Sequence, residues 1–185
     1  VEASILLFKE ALKNPNNKFF LLLSESCIPL WNLENIKNSI FEYNENLLSL
    51  DADWKYMSDS DGSGERRWKS VKHFIKNPEN FKKASQWLCL KRSTVEFLVN
   101  NQELNNFRSI ECADEHYIPT MIHLHSLGFL SRAITFTNWH NQSWHPYEYK
   151  NLSIKDICAV RDSYFMRKIS SCCNISEELK DFILQ

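Results

Sequence analysis

Apolar residues recur at helical spacing over residues 3–12, where Ala3, Leu6, Leu7, Ala11 and Leu12 share one stripe and Pro15 closes the segment. The solid apolar run Phe19–Leu23 that follows predicts a strand buried on both faces of a mainly parallel sheet. Ser24–Pro29 leaves that strand at its C-terminal edge, where α/β folds seat their ligands. Leu33, Ile36 and Ile40 predict a second helix over 33–41, and the polar, irregular stretch 51–67 predicts a long surface loop. Gln86–Lys91 reads as a short strand, and Ser93-Thr94-Val95-Glu96 as a capping box opening a helix to about Asn100. Another helix is expected to begin near Asp114, with Pro119 in its first turn and Gly128 ending it. The β-branched alternation of Ala133–Thr137 predicts a strand, followed by a Trp/His/Pro loop at 138–146. Tyr164–Ile169 predicts the last strand, and Ser176 caps a final helix. Strands alternating with helices, without repeat or linker, predict one domain of α/β class over residues 1–185.

Composition narrows the function classes. With 43% apolar and 24% charged residues the chain folds, and a formal charge of −1 gives no global pull toward nucleic acid or anionic lipid. Only 3 Gly occur, so neither a P-loop nor a GxGxxG cradle can be written. No apolar run approaches the length of a membrane span, and Glu2, Lys9 and Glu10 break any secretory leader. The chain opens on Val1, which is expected of a processed product or a piece of something longer. Six cysteines without a CxxC, together with sequons at Asn141, Asn151 and Asn174, favour the lumen of the secretory pathway.

Three groups of residues could carry chemistry. Cys112-Ala113-Asp114-Glu115-His116-Tyr117 sets two carboxylates at a helix start, where the dipole keeps them ionised; both could be caps, or one could face a cleft as a general base. His116, His123 and His125, with His140 and His145 nearby, tempt a metal reading, but spacings of seven and two do not share a helical face. The basic groups Glu65-Arg66-Arg67 and Arg161 with Arg167-Lys168 could neutralise a phosphate or could simply be solvated charge.

Five stretches taken in order resolve this choice: VEASILLFKEALKNPNNKFFLLLSESCIPLWN at 1–32, KKASQWLCLKR at 82–92, CADEHYIPT at 112–120, ITFTNWHNQSWHP at 134–146 and FMRKIS at 165–170. This series resembles the branch domain of the core-2/I-branching N-acetylglucosaminyltransferase family, its plant-type members above all. The resemblance implies a GT-A-like fold and an inverting, metal-independent transfer of a sugar from a UDP donor to a glycan hydroxyl. The donor sugar would be of the N-acetylglucosamine or xylose class. By that resemblance Glu115 matches the catalytic base, Lys168 the residue holding the donor diphosphate in place of a metal, and Arg167 its plant-type neighbour. Arg161 stands nearer to Lys168 than the family's upstream arginine does to its lysine. Trp139 falls where the family places an acceptor-pocket aromatic, and Glu65 and Arg66 resemble an acceptor-binding pair. No cofactor is implied beyond the UDP-sugar substrate. DADW at 51–54 looks like a metal motif but sits in the polar loop rather than at a strand end.

The family's domain begins upstream with strands that this chain does not contain, so the chain is expected to be the C-terminal portion of the catalytic domain. The resemblance places the full-length protein in the Golgi lumen as a type II membrane protein, anchored through a segment outside this chain. In that oxidising compartment a disulfide from Cys158 to Cys172 or Cys173 is the first expectation, and one at Cys112 the second. The competing reading is a non-catalytic glycan-binding or inactive fragment of such an enzyme.

Overall fold

The computed structural model describes residues 1–50, 62–139 and 145–184. The elements in chain order begin with α1 (Glu2–Leu12), β1 (Phe19–Leu21), β2 (Ile28–Pro29), α2 (Leu33–Tyr43), β3 (Asn46–Leu48) and α3 (Ser63–Val71). Then come β4 (Cys89–Lys91), α4 (Arg92–Asn100), α5 (Ala113–Leu124), β5 (Phe129–Ser131), β6 (Thr135–Thr137) and β7 (Tyr149–Asn151). The chain finishes with α6 (Ile154–Cys158), β8 (Phe165–Arg167), β9 (Ile169–Asn174) and α7 (Glu177–Leu184). The class is mixed α/β. Two compact units share these elements: Val1–Leu22 with Glu45–Arg132, and Leu23–Asn44 with Ala133–Gln185.

The first unit holds a sheet of order β1-β4-β3-β5. β1 pairs antiparallel with β4 (Phe20 opposite Leu90), β4 antiparallel with β3, and β3 parallel with β5 (Leu47 opposite Leu130). This corrects the expectation of a mainly parallel sheet. β1 is an edge strand with only Phe20 buried, and Leu23 is 40% exposed, so the apolar run marks an edge packed on one side. Helices α1, α4 and α5 cover the sheet through a core that includes Phe8, Leu88, Leu90, Leu98, Phe107 and Tyr117.

The buried stripe of α1 is Ile5 and Phe8, whereas Leu6 and Leu7 stand 65% and 62% exposed, so the helix is rotated from the expected face. Glycine at position 62, with φ of 68°, supplies the left-handed residue that starts α3 inside the stretch read as loop. The expected capping box at Ser93 is absent: α4 begins at Arg92 behind Lys91, which makes no side-chain cap. Arg92 is instead a clamp on the end of α1. Its guanidinium donates to the carbonyls of Leu12, Asn14 and Asn17 at 3.1, 3.0 and 3.0 Å and to Glu96 at 2.7 Å.

The second unit has a sheet β2-β8-β6 and a pair β7-β9. β8 runs antiparallel to β2 and parallel to β6, with Met166 between Ile28 and Phe136. Its core gathers Leu30, Ile157, Met166, Ile169, Leu179 and Ile183. Asn32 caps α2 by accepting from the Asn35 N–H at 2.8 Å, and Asn44 ends that helix in the left-handed region with φ of 47°. Ser153 and Asp156 form a reciprocal capping box at α6. Ser176 caps α7 as expected, its hydroxyl accepting from the Leu179 N–H at 3.2 Å. Tyr164 is fully buried, with its hydroxyl 2.6 Å from Ser39 Oγ and the Trp31 ring edge-on at 5.8 Å.

All six cysteines are free, so neither expected disulfide forms; Cys158 and Cys172 are exposed and Cys173 half-buried. Asn151 and Asn174, both sequon asparagines, are exposed register partners at the end of the β7-β9 pair.

Candidate functional site

In the first unit the site begins at the N-terminus of α5. Cys112 enters the helix in the left-handed region with φ of 53°, and its own side chain makes no cap hydrogen bond. Both carboxylates are half-buried in that turn, and the Glu115 N–H donates to the Cys112 carbonyl at 2.9 Å. Pro119 lies in the second turn rather than the first, as the seventh residue of the helix. It lacks the N–H that would bond the carbonyl of Glu115, four residues back. The Ala84 N–H takes that carbonyl instead, at 2.9 Å. One proline thus opens the helix backbone beside Glu115 to a segment from far away in sequence.

The segment Phe81–Ser85 is fastened at further points. Lys82 N–H donates to Thr120 Oγ1 at 3.0 Å, and its carbonyl lies 2.9 Å from His116 Nδ1. A carbonyl only accepts, so Nδ1 carries the proton. The His116 ring is fully buried and stacks on Phe81 at 4.4 Å and 14°. Ser85 N–H bonds the Ser49 carbonyl at 3.3 Å, and Ala84 bridges to Leu50. The two quoted motifs KKASQW and DEHYIPT are therefore two sides of one joint.

Helix α3 meets the same terminus. Arg66 donates to Glu111 at 2.7 Å, while Arg67, only 13% exposed, reaches Glu111 at 3.7 Å and Cys112 Sγ at 3.7 Å. The hydrogen bond from Arg66 and the charge of Arg67 hold Glu111 below the usual carboxylate range. Burial raises the Cys112 thiol despite Arg67, so it is not a poised thiolate. Glu65 pairs with Lys69 at 2.8 Å along the helix. Of the proposed acceptor pair, Arg66 is thus tied to the residues leading into Glu115 and Glu65 to its own helix. Arg67 was legible only as part of a basic run; the signal for it is its burial.

In the second unit the exits of two parallel strands, β6 and β8, define an edge. Thr137 opposes Arg167, so Trp139 and Lys168 both leave the sheet there. Tyr149 links them: its N–H donates to the Lys168 carbonyl at 2.8 Å, and its hydroxyl accepts from Asn138 Nδ2 at 2.9 Å. Trp139 stands 60% exposed and Tyr147 42%, with the Tyr147 ring 4.7 Å from that of Tyr149. Sequence does not single out Asn138, Tyr147 or Tyr149; the signal for the tyrosines is their spacing, Tyr149 opening β7 and Tyr147 lying two residues before it. The Ser24–Cys27 turn lies on the same edge, because Ile169 N–H donates to the Ser26 carbonyl at 2.9 Å.

Arg161 is not part of that edge. It precedes the entry end of β8, a strand roughly 10 Å long, and its guanidinium sits 4.7 Å over the Phe182 ring. Its carbonyl accepts from Trp31 Nε1 at 2.9 Å beside a hollow of about 240 Å³ lined by Trp31, Asn32, Asn35 and Arg161.

Among the described residues no three His, Cys, Asp or Glu side chains gather as metal ligands, and no helix is long and apolar enough to cross a membrane. His123 pairs with Asn80 at 3.2 Å and His125 with Glu103 at 2.9 Å, away from the His116 contact. The DADW stretch at 51–54, His140 and the Asn141 sequon lie outside the described residues.

The model of the Branch family, described as core-2/I-branching enzyme, matches residues 1–167 and so runs through both units. The chain is 26% identical over 187 residues to a protein of rice, Oryza sativa subsp. japonica, named "Glycosyltransferase BC10". That match covers 81% of this chain and 45% of the rice protein, so the chain spans about half the length of its curated relative. The joint at Glu115 lies inside the matched stretch, which runs as far as Arg167, and by that match over most of its length the chain belongs to the core-2/I-branching enzyme family.

Proposed function

We propose that this chain is part of an inverting glycosyltransferase that moves a sugar of the N-acetylglucosamine or xylose class from a UDP donor to a glycan hydroxyl. The observation that carries this reading is the family match over residues 1–167. In this scheme Glu115 removes the proton of the acceptor hydroxyl as its oxygen attacks the anomeric carbon. The bond to the UDP oxygen breaks on the opposite face, and configuration inverts. Lys168 and Arg167 neutralise the diphosphate as it leaves, in place of a divalent cation. Trp139 offers a flat face to a sugar ring, and Arg66 orders the approach to Glu115.

The local structure supports these assignments. A carboxylate in the first turn of a helix stays ionised and can accept a proton. Lys168 lies at the exit of parallel strands, the edge that suits anionic ligands in α/β folds. Arg161 is left out of the diphosphate assignment because it precedes the other end of β8. Exposed sequons at Asn151 and Asn174 accord with a Golgi-lumenal protein that is N-glycosylated.

The test is incubation of the full-length protein with UDP-N-acetylglucosamine or UDP-xylose and a panel of glycan acceptors. Product with inverted anomeric configuration, formed equally well in EDTA, is the expected result. Glycan binding without any transfer would favour the second reading, a non-catalytic glycan-binding module. What favours that alternative is the exposed pair of aromatic residues Trp139 and Tyr147.

A further inference from the structure

The Ser24–Cys27 turn is held beside Lys168 by the backbone. β2 and β8 pair Pro29 with Phe165 and Ile28 with Met166. Beyond that pairing the Ser26 carbonyl accepts from the N–H of Ile169, the residue after Lys168, at 2.9 Å. Ser26 is 8% exposed, and its hydroxyl lies 2.9 Å from that of Ser24. The Ser24 hydroxyl also lies 3.3 Å from Cys27 Sγ, which accepts from the Ser24 N–H at 3.4 Å.

The hydrogens can be counted. Two hydroxyls and a thiol carry one hydrogen each, and the two contacts among them use one apiece. One O–H or S–H hydrogen is therefore left to donate outward, next to an ammonium-bearing residue. Donors of this kind beside a fixed cation recognise phosphoryl oxygens, and burial strengthens such a bond. Glu25, the carboxylate on the same turn, is exposed, so solvent screens its repulsion of an anion.

We propose that Ser24 and Ser26 form, with Lys168, a cradle for the diphosphate of the nucleotide-sugar donor. This rests on Lys168 being the diphosphate-binding residue. The turn then acts in donor binding and in holding the leaving group, and Cys27 serves to orient Ser24 rather than as a nucleophile.

The test is titration of the full-length protein with UDP, by calorimetry, in four forms: wild type, Lys168→Ala, the double variant Ser24→Ala/Ser26→Ala, and Ser24→Thr, which keeps the hydroxyl. Melting temperatures are recorded for each, and Ser24→Ala alone, at the half-buried position, replaces the double variant if that fails to fold. The double variant is expected to bind UDP roughly 10-fold more weakly, with Ser24→Thr close to wild type. If Lys168→Ala weakens UDP binding while the serine variants bind as wild type, the cradle is refuted and the donor reading stands. If wild type does not bind UDP, or Lys168→Ala binds it undiminished, the donor reading fails and the cradle with it.

Discussion

Arg92 offers the sharpest stability test, because one guanidinium closes the end of α1 and the turn that leads into β1. Replacing it with methionine keeps the stem and removes bonds to the carbonyls of Leu12, Asn14 and Asn17, all between 3.0 and 3.1 Å. The side chain is 26% exposed, so water recovers part of each bond. At about 1 kcal/mol net for each carbonyl, after that discount, the loss is about 3 kcal/mol. For a chain of this length the melting temperature should fall by about 6–12 °C. Arg92→Lys should lie between, since a single ammonium does not span three carbonyls. The exposed pair Lys13–Glu10 at 2.6 Å, with side chains 71% and 72% exposed, is the control. Its removal should cost less than about 0.5 kcal/mol. Thermal melts by circular dichroism read all three; a melting temperature for Arg92→Met within 1 °C or so of the parent would refute the clamp.

Other outcomes follow from the same geometry. Burial alone would push Glu103 up, but hydrogen bonds from Asn101 and His125 outweigh it and hold its carboxyl below the ordinary value. A depressed folded-state value stabilises above the unfolded pKa and is lost as pH falls through the folded one, so Glu103→Gln should flatten stability across the acidic range below about pH 4.5; an unchanged acid limb in urea titrations would contradict this. Burial pushes the Cys89 thiol up to about 12, so alkylation at pH 8 should spare it in the folded protein while the exposed Cys158 and Cys172 react; early labelling of Cys89 would overturn its placement. Pro119→Ala should give α5 an N–H able to compete for the Glu115 carbonyl, and faster hydrogen exchange at Ala84 would report the loosened joint; unchanged exchange there would count against it.

The sequence showed most where local chemistry decides structure. The spans of α1 and α2 and the Ser176 cap emerge from spacing and caps alone. What it hid depends on long-range pairing. The run Phe19–Leu23 looks like a central strand, but an edge strand that packs one face against helices can be as apolar. The three-residue strands β3, β5 and β7 are too short to show periodicity. Ser93-Thr94-Val95-Glu96 satisfies the capping pattern, yet α4 starts two residues earlier, with Lys91 in place of Ser93 at the N-cap and the Arg92 N–H held by the Lys18 carbonyl at 2.8 Å. For the candidate site, the family resemblance singles out Glu115 and Lys168, whereas the proline-opened joint to Ala84 and the Ser26–Ile169 contact appear only once distant segments meet.

The central claim is that Glu115 is the base of a sugar transfer. Its most direct test compares initial rates for wild type, Glu115→Gln and Asp114→Asn in the full-length protein, at saturating UDP-sugar and acceptor, with UDP affinity measured in parallel. Glu115→Gln should lose about 10²–10⁴-fold in turnover with UDP binding intact, and Asp114→Asn should stay within a few-fold of wild type. Wild-type turnover in Glu115→Gln would contradict the account.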